Sequence, residues 1–330
     1  MIRSFNHGSY PRVGASPLDQ QIRAALRALE RGDATAAEVA EVADEVTTIA
    51  VAEQSRAFID VVTDGMVRWS GPLSHLAVGL EGLELRGLRR WFRTNFYDRR
   101  PAVVAAIRRR GPFLVHDYEV AQRVTRNPIK VVLPGPVTFA RSAIDEHYGS
   151  REAVAEAVAR ALAEEVADLV AAGATFFQLD EPLLCLHPED AALVADAAAP
   201  IFAAAGPGAT TILATYFGDL TALAGGLDRL PGSHLGLEAT RGHANFALLD
   251  RLPADKGVAL GLFDATTTLL EDAAEVAGWL GPHRAGLTRR DVLVGPSAGL
   301  ELLPRDQAFD KLLQARYLVE RLSREWTWAC

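Results

Sequence analysis

Two adjacent carboxylates close an apolar run in the stretch ATFFQLDEPLL (residues 174–184): Asp180 and Glu181, with Pro182 directly behind them. The pattern recurs down the chain, where other apolar runs end on His7, Asp64, Thr215, Glu238 with Arg241, Asp264 and Ser297. One acid in such a place is commonly no more than a helix cap. Several converging on one mouth can bind a cation, an amine or a metal, or move protons as general acid and base. Four of these ends carry an acid: Asp64, Asp180, Glu238 and Asp264. Neighbours on an extended strand face opposite ways, so Asp180 should enter the pocket while Glu181 serves the following turn.

Eight short runs must position these groups: 2–8, 58–65, 129–135, 175–182, 210–218, 234–240, 257–265 and 291–297. Their apolar positions are mostly continuous rather than alternating, as expected for strands covered on both faces. Alanine-rich helical segments separate them. Thr35 and Glu38 form a capping box, and Ser150 caps the helix REAVAEAVARALAEEVADLVAAG, which Gly173 closes. Eight strands alternating with helices predict an α/β fold, a (β/α)8 TIM barrel whose active site lies at the C-terminal strand ends. A doubly wound open sheet is the alternative, because periodicity alone does not show closure.

The spacing breaks once, at residues 66–128. That excursion between strands 2 and 3 is too long for a simple crossover and should add helices over the barrel mouth. With no linker rich in Pro, Gly or Ser and no low-complexity tract, residues 1–330 read as a single barrel domain carrying that insertion. Within it, RRWFRTNFYDRR (89–100) and RRR (108–110) mix arginines with aromatics. They read as a solvated helix face, or as a clamp on an anionic tail with Trp91, Asn95 and Tyr97 turned to the pocket.

Composition narrows the function further. Lys+Arg 34 against Asp+Glu 42 leaves a net charge of −8, which argues against nucleic-acid binding and suits a soluble protein with a small-molecule substrate. Two cysteines, Cys185 and Cys330, imply no disulfide framework and fit a reducing cytoplasm. No apolar stretch reaches membrane-spanning length and no signal peptide is visible, so a cytoplasmic location is expected. A homo-oligomer or a partner subunit stays open.

Read in order, HGSYPRVG, TDGMVRW, WFRTNFY, LPGPVTF, QLDEPLL, LATYFGDL, GLEATRGH and PSAGLELLP resemble the cobalamin-independent methionine synthase family. The resemblance covers nearly the whole chain but only one of that family's two barrels. WFRTNFY, LATYFG and the PS motif look like the N-terminal barrel, and GLEATRG like the catalytic C-terminal one. The resemblance implies a (β/α)8 barrel and methyl transfer from a folate to the sulfur of homocysteine. A zinc held by a His-x-Cys pair, a Glu and a distant Cys ionises that thiol.

Carried over position by position, the Glu falls on Glu238, the His-x-Cys pair on Thr215 and Phe217, and the distant Cys on Ala298. With three of four ligands replaced, the resemblance implies no family metal site. Asp180 matches the acid that holds the substrate's amino group, and Gly8-Ser9 match a backbone turn beside the substrate; the resemblance thus makes Asp180 and Glu238 the candidates for the chemical step. Thr215 and Tyr216 stand in the motif after the fifth strand. Met66 takes the place of a companion acid, with Asp64 two residues away. Ser142 takes the place of the aromatic that stacks on the folate, which leaves Trp69, Trp91 or Tyr97 to supply that face. Methyltetrahydrofolate is thus expected as co-substrate only through such a replacement. Cys185 and His187 could join Glu238 in a new metal site, although one apolar cysteine and one surface histidine explain them as well. Three functions remain: a methyltransferase whose acceptor needs no zinc-bound thiolate, a lyase or decarboxylase using the same acids, and a degenerate barrel acting as a binding or assembly module.

Overall fold

The computed structural model describes residues 1–16, 20–223, 225–240 and 243–328. Strand β1 (Ile2–Ser4) precedes helices α1 (Gln21–Arg31), α2 (Ala36–Arg56) and α3 (Pro72–Gly79). An antiparallel ribbon follows, β2 (Leu80–Arg90) and β3 (Tyr97–Arg109), then α4 (Val115–Val124), β4 (Lys130–Pro134), α5 (Pro136–Ser142), the short β5 (Ile144–Asp145) and α6 (Arg151–Ala171). Next come β6 (Phe176–Asp180), α7 (Ala191–Ala205), β7 (Thr210–Ala214), β8 (His234–Glu238) and β9 (Gly257–Phe263). Helices α8 (Ala273–Leu280) and α9 (Arg284–Leu287), strand β10 (Val292–Pro296) and helix α10 (Arg305–Glu325) complete the chain.

Seven strands form one parallel sheet in the order β1-β10-β9-β8-β7-β6-β4. Residues 61–62 close the ring, Val61 bridging to Phe5 and Val62 to Ile129. The Asn6 amide donates to Val61 O and the Lys130 amide to Val62 O. The fold is a TIM barrel, not an open doubly wound sheet. Its second strand, read in the sequence as 58–65, is cut to this bridging pair. Left-handed φ values of 55° at Phe58 and 78° at Gly65 turn the backbone out at either end. Between them Thr63 pairs with a side chain instead of a strand: its N–H donates to Gln54 Oε1 at 2.9 Å and its O accepts from Gln54 Nε2 at 3.0 Å.

Strands β4, β8, β9 and β10 are buried along their whole length, as two-sided coverage demands. Phe5, Val61, Phe176, Ile212, Ala214, Ala259 and Leu293 fill the barrel with a packed apolar layer. The capping box at Thr35 and Glu38 starts α2, Ser150 caps α6, and Gly173 at φ 100° ends that helix's run.

The excursion 66–128 contains two helices but is built around the β2–β3 ribbon. The segment 89–100 is therefore no helix face: it is the end of β2, a tight turn and the start of β3. Arg109 on β3 pins the ribbon to α6 through Glu165 at 2.8 Å and Asp168 at 2.5 Å. Buried Asp98 accepts the Leu73 amide at 2.8 Å and so caps α3. Among the described residues no helix is long and apolar enough to cross a membrane.

Candidate active site at the barrel mouth

Asp180 is the last residue of β6 and lines a cavity of about 280 Å³ at the C-terminal ends of the strands. Gln178, two residues back, faces the barrel interior and donates Nε2 to Asp180 Oδ1 at 2.7 Å and to His7 O at 3.0 Å. Its own Oε1 accepts from Lys130 Nζ, which also donates to His7 O at 2.8 Å and lies 4.5 Å above the Phe5 ring. Lys130 is fully buried, and two carbonyl oxygens and a ring face surround its amine. This ladder fixes the Gln178 amide and hence the Asp180 carboxylate. Oδ2 is left toward the cavity, where it accepts the Tyr216 hydroxyl at 3.4 Å and lies 3.9 Å from His7 Nε2.

Burial raises the Asp180 carboxyl to about 7, against the pull of Gln178, Lys130 and Tyr216. Burial, then the charge of Lys130, keeps the His7 imidazole well below its ordinary value, so it is neutral. Glu181 turns the other way, as the strand alternation predicts. It is buried and accepts the amides of Val137 at 2.8 Å and Thr138 at 2.7 Å, capping α5. Gly135 makes room for it: a Cβ there would stand 2.2 Å from the Glu181 carboxyl carbon.

The turn of the ribbon reaches the mouth. Trp91, Thr94 and Phe96 line the inner cavity with Trp69, Tyr216 and Phe217. Phe92, at a left-handed φ of 51°, packs 5.1 Å from Trp91 and 5.1 Å from Phe217. Beyond this wall lies a second, larger space bordered by Arg89, Arg90, Arg93, Asn95 and Ser142. The two cavities share Trp91, Thr94, Phe217, Thr266 and Leu302.

Of the residues singled out in the sequence, His7, Gly8, Ser9, Trp91, Asp180 and Tyr216 meet at the inner cavity. Asn95 borders the outer one. Tyr97 is 53% exposed and lines neither. Asp64 sits in a small space under α4 with Asp117, and burial followed by that neighbour's charge raises its carboxyl to about 7. Thr215 and Ser297 face the barrel interior, Thr215 donating to Gly236 O and Ser297 accepting the Ala265 amide. Asp264 accepts the amide and hydroxyl of Thr266, holding its own loop. Glu238 accepts the Phe217 amide and the Thr240 hydroxyl. Arg241 lies outside the described residues. The insertion arginines hold protein: Arg89 and Arg100 donate to the Ser142 carbonyl at 3.1 and 2.8 Å.

Sequence reading passed over Arg12 and Glu301, both on the inner cavity. The Ser9 hydroxyl donates to Glu301, and Gly299 permits this approach, since a Cβ there would meet the Ser9 oxygen. Arg12 sends Nη1 to the carbonyls of Val67 at 3.2 Å and Trp69 at 2.6 Å. Both stand inside quoted motifs, HGSYPRVG and PSAGLELLP, and a charge within such a motif was the available signal.

The donor set does not fit a zinc ion. Phe217 and Ala298 offer no lone pair to the cavity, Thr215 spends its hydroxyl on a carbonyl, and Glu238 already holds an amide and a hydroxyl. Burial pushes the Cys185 thiol up to about 12, far from the thiolate a metal needs, and His187 points to Glu189 at 3.1 Å. Among the described residues no three His, Cys, Asp or Glu side chains gather as a metal group.

The chain is similar to known proteins over nearly its whole length. Methionine synthase of Sulfurisphaera tokodaii is 28% identical over 303 residues, covering 91% of this chain and 88% of that one. Methionine synthase of Thermococcus kodakarensis is 27% identical, covering 95% and 93%. In three dimensions the B12-independent methionine synthase of Shewanella sp. W3-18-1, solved with selenomethionine, superposes with a TM-score of 0.82 at 22% identity over 98% of both chains. Residues 8–320 match the family described as the cobalamin-independent synthase catalytic domain. That match begins just after β1 and takes in the rest of the barrel and every residue of the inner cavity but His7, and the chain belongs to this family of enzymes.

Proposed function

We propose that the protein is a methyltransferase. It moves a methyl group, from methyltetrahydrofolate or another donor, to a small amine, carbon or sulfur acceptor without a zinc-bound thiolate. Membership of the family supports the reaction class. The observation that carries the rest is the pair of cavities divided by the Trp91–Phe217 wall. The inner one, with Asp180 held at its floor, suits a small acceptor bearing a cationic amine. The outer one, bordered by Trp91, Asn95 and Arg93, suits a flat donor with an anionic tail. The transferred methyl crosses at the shared wall.

In this arrangement Asp180 orients the acceptor through its charge and receives the proton that the attacking atom gives up. Tyr216 holds Oδ2 in place, and Gln178 with Lys130 holds Oδ1. The aromatic wall keeps water from the reacting methyl. The test is transfer of isotopically labelled methyl from methyltetrahydrofolate to a panel of thiols and amines, with wild type and Asp180→Asn. Labelled product that disappears in the variant is expected. Product formed equally well by Asp180→Asn would remove the carboxylate from the reaction.

A further inference from the structure

We infer that the inner cavity is a receptor for a small N-methylated ammonium group that keeps at least one N–H. The inference rests on reading this cavity as the small-substrate site, and it narrows the acceptor class. The charges at the cavity favour a cation. Asp180 and Glu301 face it, while the one guanidinium there among the described residues, Arg12, has Nη1 committed to two backbone carbonyls. The walls are rings: Trp69, Trp91, Phe96, Tyr216 and Phe217. A ring face attracts a cation, and a methylated ammonium sheds fewer tightly held waters than a bare one when it enters such a site.

His7 decides how far methylation can go. It is only 6% exposed and lines the cavity, and its buried Nε2, 3.9 Å from Asp180 Oδ2, has no hydrogen-bond partner. With the ring proton on Nδ1, this nitrogen is an acceptor awaiting a donor. A quaternary ammonium has no N–H to give it, and a bare ammonium leaves the rings unused. One N–H directed at Asp180 and His7, with methyl groups against the rings, satisfies both halves. Tyr216 joins those halves: its hydroxyl donates to Asp180 while its ring stands edge-on to His7 at 5.0 Å and to Phe217 at 4.9 Å.

Calorimetry with ammonium, dimethylammonium, trimethylammonium and tetramethylammonium chlorides at constant ionic strength tests this. Affinity should climb about 10-fold or more from ammonium to trimethylammonium and fall again at tetramethylammonium. Trp91→Leu and Phe217→Leu should each flatten the climb by about 2- to 30-fold, the worth of one ring face. The half-buried position of Trp91 in the ribbon's turn keeps the test alive should Phe217→Leu fold poorly. Affinity indifferent to methylation, or a climb unchanged in both variants, overturns the inference. Methyl transfer to a thiol by a protein indifferent to the series would overturn it too, while leaving the methyltransferase reading intact. Selective binding of trimethylammonium without any methyl transfer would uphold the receptor and sink that reading.

Discussion

Replacing Glu181 by glutamine should damage the fold and spare the site, the opposite of what a pair of catalytic acids would show. Glu181 is fully enclosed, and its two oxygens accept the amides of Val137 and Thr138 at the start of α5. Glutamine fits the space above Gly135 but brings one acceptor and one donor. One of the two amides then faces an N–H, and a buried donor without a partner costs about 1–3 kcal/mol. The lost charge at a helix N-terminus adds about 0.5–1 kcal/mol. Part of this is returned, because burial already raises the Glu181 carboxyl to about 7 and an amide carries no such penalty. A net loss of about 2 kcal/mol remains. At about 2.1 cal/mol/K per residue, 330 residues give an unfolding entropy near 0.7 kcal/mol/K, so the melting temperature should drop about 3 °C. The assay is a thermal melt beside trimethylammonium affinity for Glu181→Gln and Asp180→Asn. Asp180→Asn should melt near wild type and lose roughly 2–4 kcal/mol of binding. A Glu181→Gln protein that melts normally but binds nothing would refute the division of labour.

Further expectations bear on metal, donor and pH. Purified protein should carry no stoichiometric zinc by elemental analysis; about one zinc per chain, lost in Cys185→Ser, would establish a site of another kind. Methyltetrahydrofolate measured by calorimetry should bind Trp91→Ala about 10-fold more weakly than wild type, and equal affinity would move the donor off the ribbon. Cation binding should fall about tenfold per unit as pH drops below about 7, because Asp180 with its raised pKa takes up a proton there and loses the charge that binds; a flat profile from pH 5 to 8 would contradict this. Burial lowers the Lys130 pKa well below its ordinary value and the Asp180 carboxylate opposes that; Lys130→Met removes this partner of ionised Asp180, so the midpoint of that pH profile should move upward, and an unmoved midpoint would deny Lys130 its positioning role.

Strand positions and helix caps were legible because each rests on local chemistry: apolar runs bounded by turn residues, Thr35 with Glu38, Ser150 and Gly173. The Asp180–Glu181 divergence followed from strand geometry alone. The second strand was not legible, since its ladder is replaced by the Gln54 amide nine residues upstream on α2. The ribbon misled for a different reason. Arginines and aromatics in 89–100 carry no clean period, and although β3 pairs with the adjacent β2, the acids that dock the ribbon through Arg109, Glu165 and Asp168, are more than fifty residues away. The arginines likewise read as ligand clamps, whereas Arg89 and Arg100 hold the carbonyl end of α5. At the mouth, a polar strand end marked proximity but not direction. Thr215, Ser297 and Asp264 all stand at strand ends and all turn to backbone or side-chain partners of their own.

Phe217 shows how one position ties these threads together. The resemblance read in the sequence puts it at the position of a metal-binding cysteine, and read alone that substitution looks like loss. In the folded protein its backbone stands at a left-handed φ of 62° and its amide is held by Glu238, so the ring has a fixed place. That ring closes on Phe92 and Tyr216 and forms part of the wall common to both cavities. Glu238, at the position of the family's ligand carboxylate by resemblance, thereby acts on the cavity by positioning an aromatic face. A soft cation bound against rings needs such a face and no metal, and a methyl group attached to it would lie at the wall through which a donor must approach.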